Sequence, residues 1–195
     1  MTPWQPSAEV RQRRPLSSKA PTANKAQQHG LVAWDDLPRW RRDNAYIRSA
    51  YRPIRASYRE AVSSLTYLHN ESVNIWSHLL GAVAALALGL GGLYCYHSQR
   101  HAILVAPASS SDVLVFACFL GGAVVCLGMS ATYHAVMDHS EAVARWGNKL
   151  DYTGIVALIV GSNVPALYYG LFCEPALFTA YLGLVSRLMA SSIRL

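Results

Sequence analysis

The 195-residue sequence has few cysteines and no recognisable signal peptide. All four cysteines fall within apolar stretches, at Cys95, Cys118, Cys126 and Cys173. This position excludes a disulfide framework and favours inert, buried thiols. Residues 1–45 contain no apolar run of the kind that a signal peptide needs. If the chain enters a membrane, we expect its first span to serve as the targeting signal.

Basic residues are scarce beyond the N-terminal third. Twelve of the 17 lysines and arginines precede Ile75, against six of the 11 acidic residues, so the net charge of +6 belongs to that part. No basic and aromatic motif typical of RNA-binding domains accompanies them. A basic segment beside a membrane span is typical of a cytoplasmic, lipid-facing position. We therefore predict a lipid bilayer as a partner, and no nucleic acid.

Long apolar stretches without formal charge dominate the rest of the chain. About 20 such residues in a helix cross a hydrocarbon core of about 30 Å. The sequence predicts an all-α membrane protein whose transmembrane domain covers residues 75–195. The spans are predicted at residues 75–96, 113–133 and 152–173, with a partial fourth at 176–193.

Two segments precede the first span. Residues 1–30 are rich in Pro, Ser, Ala, Gln and basic residues, and predict a disordered basic tail. Residues 31–74 form a cytoplasmic or interfacial amphipathic segment, in which residues 31–59 mix Trp and Tyr with Arg. That mixture is typical of a segment lying among lipid headgroups, and equally of a small helix that docks on the protein. Both interpretations stay open at this stage.

The distribution of basic residues predicts the orientation. Twelve lie before the first span, Arg100 lies in the first loop, and Arg145 and Lys149 lie in the second. Short loops rich in Lys and Arg stay in the cytoplasm. We therefore predict a cytoplasmic N-terminus, with the corner at residues 134–151 on the same side.

Ionisable residues at the edges of the predicted spans mark a candidate site. His134 ends the second span and Asp151 begins the third, and an ionisable group at such an edge is costly enough to suggest a function. Ser130 lies four residues before His134, on the same helical face. A helical hairpin would bring the three together. Two interpretations remain: a metal with its water, or a structural pairing of His134 with Asp151.

Other polar residues near the spans have simpler interpretations. His139 follows the second span and is predicted to be a loop residue. His78 lies inside the first span, where a histidine commonly forms a hydrogen bond between helices. Glu71 and Asn74 are predicted to cap a helix or to form hydrogen bonds at the cytoplasmic edge.

Three sequence blocks resemble the progestin and adiponectin receptor family, which includes hemolysin III-like proteins and fungal zinc-homeostasis relatives. They are NESVNIWSHLLG at 70–81, SATYHAVMDHS at 130–140 and KLDYTGIVALIVGSNVPALYYGLFC at 149–173. The resemblance covers roughly residues 50–175. It implies a bundle of seven transmembrane helices with a cytoplasmic N-terminus and a zinc ion near the cytoplasmic face. This chain would supply the first three to four helices.

The resemblance also implies roles for individual residues. His134 is similar to the zinc-binding histidine of the family's second helix. Asp151 is similar to the catalytic aspartate that holds or activates the water on zinc, and Ser130 completes the Ser-x-x-x-His pattern of the catalytic site. The family's other two zinc histidines form an H-x-x-x-H pair on its last helix, and this sequence up to Leu195 does not supply them. We therefore expect a C-terminally truncated chain whose zinc site is incomplete.

The resemblance favours a multi-pass membrane receptor of the plasma membrane or an endomembrane. It implies a zinc-dependent, ceramidase-like lipid amidase site, a ceramide-like substrate, an extracellular protein ligand and a role in lipid and zinc homeostasis. The alternative is a non-catalytic truncated protein or partner subunit. A transporter is a third interpretation, disfavoured because no face of a span repeats charged residues.

Overall fold

The computed structural model describes residues 30–99 and 109–192, and nearly all of the regular structure in these ranges is helical. The predicted tail at residues 1–30 lies outside them, apart from Gly30. The α-helices are α1 (Tyr58–Ser63), α2 (Ser72–Gln99), α3 (Ser110–Val136), α4 (Glu141–Gly170) and α5 (Pro175–Ser192). Short 3-10 turns occupy Trp34–Asp36, Arg39–Arg41 and Ser64–Thr66.

The helices α2, α3 and α4 are long and apolar enough to cross a membrane, and each overlaps one of the three predicted spans. With 27 residues, α3 is about 40 Å long and exceeds the hydrocarbon thickness of about 30 Å. All three begin earlier in the sequence than their predicted apolar cores, because the helical backbone continues into polar residues. Helix α5 occupies the region of the predicted partial fourth span and packs against α4.

Glycines allow α3 and α4 to pack with their backbones in close contact. A Cβ atom on Gly154 would lie 2.9 Å from the Cα atom of Cys126, and one on Gly122 would lie 2.9 Å from the carbonyl oxygen of Ala157. Small residues permit such close approach between membrane helices, where van der Waals packing provides most of the attraction. The antiparallel α3 and α4 pair therefore has a fixed register.

The connection between α3 and α4 is shorter than the sequence predicts. Helix α3 ends at Val136, and α4 begins at Glu141 after Ser140, whose side chain accepts a hydrogen bond from the backbone N–H of Val143 as an N-cap. Asp151 is therefore not at the start of its helix. It lies ten residues beyond Glu141, about 15 Å along the helix axis.

The segment from residue 30 to residue 57 lies against the end of the helical bundle without forming an α-helix. Val32 and Tyr51 form an isolated antiparallel bridge, and the backbone N–H of Asn70 donates to the carbonyl oxygen of Ala50 at 2.9 Å. Arg41 and Arg52 are buried in the protein. The segment thus docks on the protein, and these two arginines do not point towards headgroups.

Candidate functional site

Four charged side chains are buried where the N-terminal segment, the start of α2 and the turn after α3 meet. We call them the charge cluster, and their exposed fractions are 2% for Arg41, 3% for Arg52, 4% for Glu71 and 6% for Asp138. Two positive and two negative charges cancel within the cluster. This balance matters because an unpaired buried ion would cost several kcal/mol.

Asp138 joins the two arginines of the charge cluster. Its Oδ1 atom accepts a short hydrogen bond from Nε of Arg41, and its Oδ2 atom accepts from Nε of Arg52 at 2.8 Å. Arg52 also donates to the carbonyl oxygens of His134 at 2.7 Å and Ala135 at 2.9 Å. These are unsatisfied carbonyls at the C-terminal end of α3, where a cation is favourable. Arg52 therefore holds the N-terminal segment to the helix that carries His134.

Glu71 immediately precedes α2, and its carboxylate is surrounded by donors. The Oε1 atom accepts from Nη2 of Arg41 at 3.2 Å and from Nδ2 of Asn70 at 2.6 Å, while Oε2 accepts from Nδ2 of Asn74 at 2.8 Å. Burial by itself would raise the pKa of Glu71, but hydrogen bonds from His134 and Asn74 and the charge of Arg41 lower it to about 2. Glu71 is therefore ionised throughout the physiological range.

His134 lies near the end of α3, and its Nδ1 atom is 2.9 Å from Oε2 of Glu71. An ionised carboxylate only accepts hydrogen bonds, so Nδ1 carries the hydrogen of this contact, and in the neutral ring the lone pair is then on Nε2. The ring of His78 on α2 lies beside it, with ring centroids 6.0 Å apart. The Nδ1 atom of His78 is buried and has no hydrogen-bond partner among the described residues. The predicted hydrogen bond between helices from His78 is thus not formed there.

Ser130 is buried on the face of α3 that packs against α4. It lies four residues after Cys126 and three before Tyr133, so the three side chains share one face. Cys126 lies against Gly154, and Tyr133 lies against Gly147. Ser130 therefore sits in the α3 and α4 interface.

Asp151 is placed on the facing side of α4. It lies four residues after Gly147 and three before Gly154, and both glycines contact α3. The antiparallel register puts Asp151 at about the level of Ser130, with His134 one helical turn nearer the end of α3. The hydrogen bond of His134 runs to Glu71, on the side of α2, so the carboxylate paired with this histidine is Glu71 and not Asp151.

The described residues do not by themselves form a metal site. Within the ranges 30–99 and 109–192, no three His, Cys, Asp or Glu side chains converge as a group that could hold a metal ion. His134 nevertheless has the orientation of a typical zinc ligand, with Nδ1 hydrogen-bonded to a carboxylate and Nε2 on the other side of the ring. The chemistry of this single donor fits zinc, and the count of donors does not reach three.

No sequence pattern marks Arg41, Arg52 or Asp138 as site residues, and the position of Glu71 predicts only a cap or a hydrogen bond at the cytoplasmic edge. Arg41 and Asp138 are 97 residues apart, so no sequence spacing connects them. One local signal was present: Glu71 and Asn74 are three residues apart at the start of a span, which places both side chains on one side of a helix. His139 is a turn residue, as predicted, and its ring stacks on that of Tyr58 at 4.2 Å.

These features define a class of protein, a helical membrane protein with a carboxylate-oriented histidine at the end of its second span. Residues 66–195 match the family model described as Haemolysin-III related, and the chain belongs to this family. The family resemblance predicted from the sequence is thereby confirmed.

Relatives of the chain come from fungi, animals and plants. It is 40% identical over 167 residues to the ADIPOR-like receptor IZH2 of Saccharomyces cerevisiae, covering 82% of this chain and 50% of the relative. It is 38% identical over 160 residues to the adiponectin receptor protein of Drosophila melanogaster, covering 82% of this chain and 34% of the relative. It is 32% identical over 152 residues to heptahelical transmembrane protein 1 of Arabidopsis thaliana, covering 78% of this chain and 45% of the relative. The chain spans about a third to a half of the length of these relatives.

Proposed function

We propose that this protein is a multi-pass membrane receptor whose helices contribute to a zinc-dependent, ceramidase-like lipid amidase site in lipid and zinc homeostasis. The observation that carries the proposal is the hydrogen bond between His134 and Glu71. A carboxylate bound to one ring nitrogen is the usual partner of a histidine that ligates zinc through the other. The proposed receptor role is supported by relatives that are themselves named receptors.

His134 would bind the metal through Nε2, with the remaining donors coming from outside the described residues. Bound zinc would bring the pKa of a water molecule towards neutrality and polarise the carbonyl of an amide substrate. Asp151 would accept a proton from the attacking water molecule, and the hydroxyl of Ser130, at the same level, would orient this water or the substrate carbonyl. The carbonyl carbon gains the hydroxyl, the carbon–nitrogen bond breaks, and the nitrogen gains the proton. The products are a fatty acid and a sphingoid base.

A ceramide-like substrate suits the position of these residues. Ser130 and Asp151 lie on helices long enough to span a membrane, so a lipid tail could stay in the bilayer while the amide lies at their level. We propose the plasma membrane or an endomembrane as the location, with the N-terminus and the charge cluster on the cytoplasmic side, in accord with the distribution of basic residues. An extracellular protein ligand would then bind at the opposite face.

The orientation can be tested with single reporter cysteines in a variant without the four native ones. A cysteine at Ser17 should react with an impermeant reagent only from the cytosol, and one at Val105 only from the opposite side. Labelling of both from the same side would overturn the proposed orientation.

The activity is tested by co-expressing this chain with the C-terminal helices of the yeast relative. Zinc content and turnover of a long-chain ceramide are measured for the chain alone and for the pair. We expect the pair to bind about one zinc ion and to hydrolyse ceramide. The pair with His134→Ala should do neither, whereas the pair with the turn variant His139→Ala should do both. Tight zinc binding by the chain alone, or full turnover with His134→Ala, would refute this placement of the site.

A second candidate is a non-catalytic partner subunit. It is favoured by the single oriented histidine donor of the described residues, which falls short of the three protein ligands of a catalytic zinc. In that case the pair would assemble without zinc, and the same co-expression experiment would give a stable complex with no turnover.

A further inference from the structure

Glu71 is held from three directions in a fixed orientation. Arg41 reaches it from the N-terminal segment, Asn70 and Asn74 reach it from its own stretch of chain, and His134 reaches it from α3. The side chain of Glu71 is 6% exposed. A carboxylate with four donors and almost no contact with solvent has little freedom to rotate.

The two oxygens of Glu71 have different partners. Oε1 accepts from Arg41 and Asn70, whereas Oε2 accepts from Asn74 and faces His134. If Nδ1 of His134 lacked its hydrogen, its lone pair would point at a negatively charged oxygen 2.9 Å away. That arrangement is repulsive, so the carboxylate selects the tautomer with the hydrogen on Nδ1.

Arg41 keeps Glu71 in this position. Its guanidinium lies 3.2 Å from Glu71, also binds Asp138, and lies over the ring of Tyr51 at 5.5 Å. The guanidinium is planar and always charged, so it fixes both the charge and the rotation of the carboxylate that it contacts. The N-terminal segment is thereby connected to His134 through two consecutive polar contacts.

We propose that Glu71 is the positioning residue of His134, setting the tautomer and ring orientation of the imidazole, and that Arg41 holds Glu71 for this task. A consequence for metal binding rests on the proposed function, because it requires His134 to be a ligand. The tautomer of His134, by contrast, depends on the contacts of this chain and not on zinc binding. The competing explanation is that Glu71 only anchors the N-terminal segment, in which case changing it would leave the tautomer as it was.

The experiment uses the full chain in lipid nanodiscs with ¹⁵N-labelled histidine, and the His134 signals are assigned by their loss in His134→Gln. Ring nitrogen shifts at pH 7.5 report which nitrogen carries the hydrogen. We expect the Nδ1–H form to dominate in the wild type. It should give way to a mixture in Glu71→Gln, whose amide can present either an acceptor or a donor. The matched control is Glu60→Gln, which changes an exposed carboxylate paired with Arg55 and should leave the spectrum unchanged.

Two further variants keep the test decisive if Glu71→Gln folds poorly. Glu71→Asp keeps the charge but shortens the side chain, and Arg41→Lys keeps the charge but loses the planar contact. Both should give a smaller fraction of the Nδ1–H form than the wild type. A mixed tautomer in the wild type, or an unchanged tautomer in a folded Glu71 variant, would overturn the inference.

Zinc titration of the co-expressed pair separates this inference from the proposed function. Zinc alone is the probe, and its affinity should fall about 10- to 100-fold in Glu71→Gln, the usual effect of losing the carboxylate behind a histidine ligand. If the wild type shows the fixed tautomer but binds no zinc, the proposed function fails and the positioning role stands. If zinc binds equally well to a folded Glu71→Gln pair, the role of Glu71 towards the metal is refuted.

Discussion

Replacing Asp138 by alanine should detach the N-terminal segment from the helices. Asp138 is the carboxylate shared by Arg41 and Arg52, which are both almost completely buried. Its removal takes one carboxylate from Arg41, which keeps Glu71, and leaves Arg52 in a poorly hydrated site with the neutral acceptors Ser64 and the carbonyls of His134 and Ala135. Breaking one buried ion pair in this way costs about 3–5 kcal/mol, and we expect a loss within that range, because Arg52 loses its carboxylate partner while Arg41 keeps Glu71.

The loss should be local first, because Asp138 contacts the segment at residues 30–57 through Arg41 and Arg52 and does not contact the middle of α3. Hydrogen exchange of backbone amides measures it directly. The N–H groups of Val32 and Tyr51, which pair with each other, should exchange far faster in Asp138→Ala, whereas the amides in the middle of α3 should keep their protection. Asp138→Asn, which keeps one acceptor oxygen, should lie between the two.

Asp35→Ala is the matched control, since Asp35 pairs with Arg48 on the surface with both side chains more than half exposed. Such a pair contributes about 0–1 kcal/mol. If the segment in Asp138→Ala exchanged within about 1 kcal/mol of the wild type, the charge cluster would not be what holds it, and the reasoning from buried charge would be wrong.

Three further predictions concern single residues. Burial, and then the charge of Arg52, lower the pKa of His69 to about 4, so between pH 6.5 and 4 the unfolded chain binds a proton that the folded chain does not. Acidification through this range should therefore lower the free energy of unfolding by up to about 3 kcal/mol. Thermal denaturation of His69→Asn should lack this pH-dependent loss of stability. Ala50→Gly should stabilise the fold by about 0.5–1 kcal/mol, because Ala50 has a left-handed φ of 67°, whereas Ala61→Gly within α1 should destabilise it by about 1 kcal/mol in the same thermal assay. Gly154→Ala should cost about 1–3 kcal/mol by forcing α3 and α4 apart, while Gly91→Ala, with nothing within 4 Å, should cost nothing in a denaturation assay in detergent.

The three spans were predictable because long uncharged runs have few alternatives to a membrane helix. Their ends were not, since the apolar criterion stops at the first polar residues while the helix continues. In α4, for example, Arg145 and Lys149 were assigned to a loop because they are charged, yet they lie on exposed faces of a helix. That extension moved Asp151 from the start of a helix to its interior.

The contacts of the candidate site were less predictable. Arginines beside tryptophan and tyrosine have the same composition in a headgroup layer as in a docked segment, so local pattern could not reveal that Arg41 and Arg52 are buried. Their partners lie far away in sequence, since Arg41 is 97 positions from Asp138 and 30 positions from Glu71. Only the path of the chain around the ends of α2 and α3 brings them together.

The two halves of the charge cluster differ in a way that separates anchoring from positioning. Among the described residues, the donors to the carboxylate of Asp138 are arginines of the N-terminal segment, so its contacts are accounted for by holding that segment in place. Glu71 would need only Arg41 for the same purpose, yet its Oε2 atom is directed at His134 and fixed there by Asn74. Replacing a buried ion pair by apolar residues is often neutral or stabilising, so anchoring alone would not require a carboxylate at this position. The orientation of Oε2 towards an imidazole is the feature that anchoring leaves unexplained and that a positioning role requires.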